Sequence, residues 1–271
     1  YEHKLAFMRK WIAKSQHITY IYQFNKKLIS DFLDYILIDR NNNLRTKNNY
    51  IGWLKSFSSY LIARGYLTSN PTLGLNTSTK LGPKNRDVIP NEILIEIKSY
   101  LTKENKHYLL ACYMIHYLFV RPGEMCFLKI KDLSEGKRTL TLSGIHTKNG
   151  HDAVITIPNH VIGLMRELEI FSAPPDYYIF SHDFRPGSER IKAIAFTRFW
   201  TSNVKKALNL SDVYKLYSLK DTGITNMIKA KTDLLSVRDQ ARHSSVKVTN
   251  IYTPQECIEA NAALVGYEGV F

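Results

Sequence analysis

The stretch NTSTKLGPKNRDVIP, positions 76–90, divides this chain more sharply than any other feature. It is polar, basic and bracketed by turn formers, and the apolar patterning differs on its two sides. Upstream the pattern is helical. WIAKSQHITYIYQFNKKLISDFLDYILI places Ile29, Phe32, Leu33, Ile36 and Leu37 on one face. TKNNYIGWLKSFSSYLIARGYL carries a stripe of Tyr50, Trp53, Leu54, Phe57, Tyr60 and Leu61, with Gly65 as the expected stop. Downstream, NEILIEIKSYLTK and KHYLLACYMIHYLFV read as helices. KIKDLSEGKRTLTLSGIHTKNGHDAVITIP then alternates with period two, with turn signals at Ser134–Gly136 and at Asn149–Gly150, the latter a hairpin dipeptide. Helical spacing returns in HVIGLMRELEIF, IAFTRFWTSNVKKAL, LKDTGITNMIKA and DLLSVRDQA. The expected fold is mainly α with one small three-stranded antiparallel sheet. A helical domain over 1–78, a basic linker over 79–89 and a larger α+β domain over 90–271 make up the expected order.

Thirty-seven Lys plus Arg against 24 Asp plus Glu leave a net charge of +13, which calls for a polyanionic partner. With 17 tyrosines in the chain, nucleic acid is the expected one. Cys112 and Cys126 sit in apolar runs and Cys257 stands far from both. No CxxC or Cys/His spacing supports a disulfide framework or a zinc site, which fits a reducing cytoplasm. No apolar run is long enough to span a membrane. The chain starts at Tyr1 without a signal-peptide pattern and reads as a fragment that has lost an N-terminal segment.

Several residues can carry chemistry. Arg121 closes an apolar helix, and Glu124 follows three residues on, so the two form either an anion site or a structural ion pair. Lys148 sits in the HTKNGH turn, where lysines are usually idle. Tyr217 and Lys220 lie at a helix start, three residues apart, able to face one phosphate or only solvent. His243 precedes two serines that suit a helix N-cap, and Tyr252 comes nine residues after it. In the first domain, Lys47 and Asn48 lie on the polar face of a helix. In the linker, Lys80, Lys84 and Arg86 supply positive charge beside a duplex.

The order Arg-x-x-Glu, turn lysine, Tyr-Ser-Leu-Lys, His-Ser-Ser and Tyr resembles the tyrosine recombinase, or phage integrase, family. Thr46 to Pro71 (T-x-N-N-Y…F-x-x-Y-L…G-Y-L…N-P) resembles the end of that family's core-binding domain, so the likeness covers nearly the whole chain. Lys220 stands where the family usually has its second arginine, Tyr217 where it has a histidine, and Arg242 where it has a glycine. Asp221 occupies a position where histidine is common. A Tyr-x-x-Lys box is similar to those of integrases from Bacteroidetes mobile elements.

The resemblance implies DNA strand transfer through a 3′-phosphotyrosine on Tyr252. Arg121, Lys220 and His243 would stabilise the phosphate, Lys148 would act as general acid, Tyr217 would donate a hydrogen bond, and Glu124 would hold Arg121. Lys47, Asn48, Lys80, Lys84, Arg86 and Arg242 are the expected DNA contacts. The implied partners are double-stranded DNA, three further copies of the chain on paired sites, and accessory DNA-bending proteins. The implied location is the bacterial cytoplasm, at the nucleoid. Neither a P-loop nor the acidic cluster of a two-metal nuclease occurs, so no metal or cofactor is expected. A type IB topoisomerase and a DNA-binding protein that has lost catalysis are the alternatives.

Overall fold

The computed structural model describes residues 1–15, 18–78, 87–147 and 150–253. It separates into two compact units, Tyr1–Lys84 and Asn85–Phe271.

The first unit is helical. Helices α1 (Glu2–Ser15), α2 (Lys26–Asp34) and α3 (Leu44–Ala63) bury a shared apolar core. Met8 and Trp11 of α1 meet Leu28, Ile29, Phe32 and Leu33 of α2 and Ile51, Trp53, Leu54 and Leu61 of α3. Asn25 and Asn43 start α2 and α3 by accepting from the backbone amides of Leu28 and Thr46, at 3.0 and 2.9 Å, which satisfies donors that the helices leave open. A π-turn over Tyr35–Asp39 prolongs α2. Gly65, at φ +73°, closes α3 in the left-handed conformation that glycine adopts without strain. Tyr60 departs from the expected stripe. It is exposed, and the Arg64 guanidinium lies over its ring; Ile51 and Ser58 fill the buried face instead.

The second unit is built around α5 (Lys106–His116), which is apolar on almost every side and correspondingly buried. Helix α4 (Asn91–Glu104) precedes it, and the short α6 (Pro122–Met125) follows it. Strands β1 (Leu133–Ser134), β2 (Thr139–Leu142) and β3 (Ala153–Thr156) form an antiparallel sheet in that order. Helices α7 (Asn159–Glu167), α8 (Ala193–Phe199), α9 (Ser218–Lys229), α10 (Leu234–Ala241) and α11 (Val246–Asn250) complete it. Among the described residues no helix is long and apolar enough to cross a membrane. Cys112 and Cys126 are buried free thiols, as their apolar runs suggest, and Cys257 lies outside the described residues.

Two boundaries differ from the sequence reading. The linker ends earlier than residue 89. The Asp87 amide donates to the Val213 carbonyl, the buried Ile89 amide donates to Thr222 Oγ1 of α9, and both residues therefore belong to the second unit's packing. The β2–β3 ladder ends at Leu142 and Ala153, short of the Asn149–Gly150 turn signal, of which Asn149 lies outside the described residues. Beyond the ladder the Gly144 amide donates to Asp152 Oδ1, and a Cβ on Gly144 would sit 2.7 Å from the Gly150 carbonyl oxygen.

Helix α9 lies against α5 at a distance only glycine permits. A Cβ on Gly223 would fall 1.8 Å from the His116 carbonyl oxygen and 2.9 Å from the Phe119 ring. Gly223→Ala should therefore push α9 off α5, at a cost of ~3 kcal/mol, the upper end of ordinary overpacking. Urea unfolding of the second unit would read this as a lowered midpoint. An unchanged midpoint would mean that the helices separate without cost.

Candidate active site

Four separate segments converge at the end of α5. The chain leaves α5 through Leu118, Phe119 and Val120, all fully buried. Phe119 takes a left-handed backbone (φ +56°), a strained state for an aromatic residue. Its carbonyl accepts from Lys220 Nζ of α9 at 2.8 Å and from Arg242 Nη2 at 3.2 Å. The turn thus becomes a junction for two cations brought from positions more than a hundred residues away.

Glu124 is the anionic hub. It is 3% exposed and accepts the Arg121 backbone amide at 2.9 Å, Arg121 Nη1 at 2.8 Å and Arg242 Nη2 at 2.8 Å. Burial alone would raise its pKa; the Arg242 and Arg121 bonds outweigh this and hold the carboxyl below its usual range. Burial likewise opposes the charge on Arg121. Glu124, and after it Tyr217, more than restore it, so that Arg121 is held above the ordinary arginine range with the Tyr217 phenol hydrogen-bonded to it.

Arg242 explains its own oddity. It caps α10 at φ +55°, ψ +45°, the left-handed state in which glycine is at ease and a side chain costs energy. Its side chain is 9% exposed and engaged by Glu124 and the Phe119 carbonyl. Arg242 is therefore a buried tie between α10 and α6 rather than the open DNA contact expected of it. The bond network offsets the strain.

Lys220 is 2% exposed. Burial, then the positive charges of Arg121 and Arg242, lower its pKa to about 7, against smaller opposing pulls from Glu124 and Asp221. His243 follows Arg242 directly. Its Nδ1 shares a hydrogen with Thr249 Oγ1 across 2.9 Å, and burial together with Lys220, Arg121 and Arg242 lowers its pKa to about 4. Ser245 takes the N-cap position of α11 without a side-chain cap bond. The ring of Tyr252, one turn beyond α11, lies parallel to that of His243 at 6.0 Å between centroids. Its hydroxyl donates to Asp221 Oδ1 at 2.9 Å.

The structure thus gathers Arg121, Glu124, Tyr217, Lys220, Arg242, His243 and Tyr252. Lys148, Lys80, Lys84 and Arg86 lie outside the described residues. In the first unit, Lys47 Nζ is 3.6 Å from Asp34. The Asn48 amide is engaged at both ends by the Ser78 backbone, a use that competes with the DNA contact expected of it. Asp221 and Thr249 join the cluster without having been marked as site residues. The signal available for Asp221 was its position directly after Lys220, where a histidine is more usual.

The description Phage integrase family fits residues 91–257, more than half of the chain. The chain belongs to the phage integrase family. It is a tyrosine recombinase, an enzyme of site-specific DNA strand transfer. A tyrosine recombinase of Thermosipho africanus is 23% identical over 208 residues, covering 76% of this chain and 70% of that one. Tyrosine recombinase XerA of Pyrococcus furiosus is 25% identical over 135 residues, covering 49% and 45%. The fold is similar to that of the Tn1549 transposon integrase in complex with transposon right end DNA, with a TM-score of 0.71 at 14% identity over 94% of this chain and 90% of that one. A lambda integrase dimer bound to a core site gives 0.69 at 16% identity over 94% and 89%. A cavity of about 910 Å³ in the second unit, lined by residues such as Leu94, Tyr113, His160 and Leu219, includes none of Arg121, Lys220, His243 or Tyr252. An enzyme acting on a duplex needs an open basic surface rather than an enclosing pocket.

Proposed function

We propose that this integrase cuts and rejoins duplex DNA at a specific sequence through a 3′-phosphotyrosine on Tyr252, integrating, excising or inverting a mobile DNA element. What carries the reading is the convergence of Arg121, Lys220, His243 and the Tyr252 hydroxyl on one place, from segments spanning residues 121–252. A phosphoryl transfer asks little covalent chemistry of a protein. It needs a positioned nucleophile and fixed positive charge where the non-bridging oxygens gain charge. Arg121, braced by Glu124, and Lys220 supply charge; His243 and Tyr217 supply hydrogen bonds.

Tyr252 Oη bonds to phosphorus as the bond to the 5′ oxygen breaks. Lys148 gives that oxygen its proton. The phosphotyrosine keeps the energy of the broken phosphodiester, so the reverse attack by a 5′ hydroxyl reseals a strand without ATP. The DNA in the structures of the Tn1549 and lambda integrases supports duplex DNA as the partner. The +13 charge supports it independently. The helical unit and the catalytic unit both bind the duplex. Four copies act on two sites in the bacterial cytoplasm, assisted by DNA-bending proteins.

The test is covalent capture. The protein is expressed in its host and denatured rapidly, and the attached DNA ends are sequenced, with Tyr252→Phe as control. DNA joined to the wild type and absent from the variant is expected, and the recovered ends give the site. DNA binding without any adduct, on intact and nicked duplexes alike, would instead mark a binder that has lost catalysis.

A further inference from the structure

We propose that Asp221 is the group that takes the proton from Tyr252 as the phenol attacks phosphorus. This rests on the reading of Tyr252 as nucleophile. A carboxylate already meets the reacting oxygen: Tyr252 Oη donates to Asp221 Oδ1 at 2.9 Å, within the reach a general base needs. Asp221 is 6% exposed and sits in the first turn of α9, the helix that Gly223 locks against α5. The base is therefore carried on a rigid element. His243, the more familiar kind of base, has its Nδ1 committed to Thr249 and its ring parallel to the phenol.

The charges agree with this assignment. Lys220 and His243 both feel the Asp221 carboxylate, and Arg121, Arg242 and Glu124 stand behind them. An ionised carboxylate beside a scissile phosphate repels it. Once it accepts a proton it is neutral, at the moment when the phosphate oxygens gain charge. Negative charge therefore does not accumulate in the site.

The balance is complete. The Oη–H bond breaks and the proton goes to Asp221. The Oη–P bond forms and the bond from phosphorus to the 5′ oxygen breaks, with the leaving oxygen protonated by the acid assigned to Lys148. On resealing, Asp221 returns its proton to the departing phenol oxygen.

Asp221→Asn keeps the acceptor shape but cannot take a proton. Adduct formation is measured between pH 6 and 10, on a nicked duplex carrying the captured site. The variant is expected to be about 100-fold slower at pH 7. The deficit should shrink by about tenfold per pH unit as the phenol ionises to solvent on its own. Rates equal to wild type, or a deficit identical at every pH, would overturn the proposal and leave a positioning bond. Asp221→Ala, checked for DNA binding, should recover adduct formation as formate is added; no recovery counts against the proposal in the same way. A wild type that forms no adduct would sink the reading of Tyr252 itself. A wild-type adduct with an unimpaired Asp221→Asn would sink this inference alone.

Discussion

Glu124→Ala should cost the second unit about 3–5 kcal/mol, the usual loss when one member of a buried charge network is removed. The reason lies in what stays behind. Arg242 is nearly enclosed and Lys220 almost wholly so, with Arg121 close to both. Glu124 is the carboxylate that bonds two of these cations. Without it, positive charges face one another in a poorly solvated turn, and the left-handed Arg242 loses a bond that offsets its strain. Urea unfolding reads the loss. The double variant Glu124→Ala/Arg242→Ala should be less destabilised than the sum of the singles, because it removes one of the stranded charges. Glu124→Gln should fall between the wild type and alanine.

The pH dependence has a definite sign. The Glu124 pKa is depressed in the folded state. Its contribution is therefore fully present above the ordinary carboxylate range and disappears as pH falls through the folded value. The wild type should accordingly lose more stability on acidification than Glu124→Gln does. Cleavage should fall by about 100-fold in Glu124→Ala even where the protein remains folded, since Arg121, the proposed phosphate ligand, would lose the carboxylate that fixes it. A stability change within about 0.5 kcal/mol, the range of an ordinary surface substitution, would show that the hub organises nothing.

Much of this arrangement was legible in the sequence, and what was missed follows a physical pattern. The helices α4, α7, α9 and α10 and the three-strand sheet declare themselves through local periodicity, which is set by the face each segment buries. Tyr60 fits that periodicity and is nevertheless exposed, because Ile51 and Ser58 take the buried face. Asn149–Gly150 carries a hairpin signal, but the β2–β3 ladder ends short of it at Leu142 and Ala153, and register is decided by the strands. The ordered boxes named Arg121, Lys220, His243 and Tyr252. They could not show that Arg242 would turn inward, because its partner Glu124 lies 118 residues earlier and the bond exists only once α10 packs beside α6. Asp221 was hidden for the same reason. Its meaning comes from a tyrosine 31 residues further on, brought to it by α11.

Lys220 supplies the second large effect, because its depressed pKa changes what DNA binding must do. A pKa of about 7 leaves the free enzyme charged at this position in only about one molecule in ten at pH 8. A phosphate favours the charged form, so binding a cleavage site should draw nearly one proton per protomer from solution at pH 8, about half at pH 7 and little at pH 6. Affinity for the site should weaken by up to about tenfold per pH unit above 7. For stability the sign runs the other way. The unfolded chain holds more protons on this lysine between pH 7 and its ordinary range, so burying Lys220 costs most below about pH 7 and progressively less above it. Calorimetric titration in buffers of different ionisation enthalpy measures the uptake directly. Lys220→Arg, with a guanidinium that stays charged, should abolish the uptake near pH 8 and flatten the pH dependence of adduct formation while retaining the chemistry. Lys220→Met should slow adduct formation by about 100- to 1000-fold. Uptake that persists unchanged in Lys220→Arg would assign the proton to another group and leave Lys220 as a structural donor to the Phe119 carbonyl. The usual arginine at this position would be charged at any working pH. Under the proposed role of Lys220, lysine makes the charge conditional on the DNA, and the phosphate site is expected to be complete only when the substrate is seated.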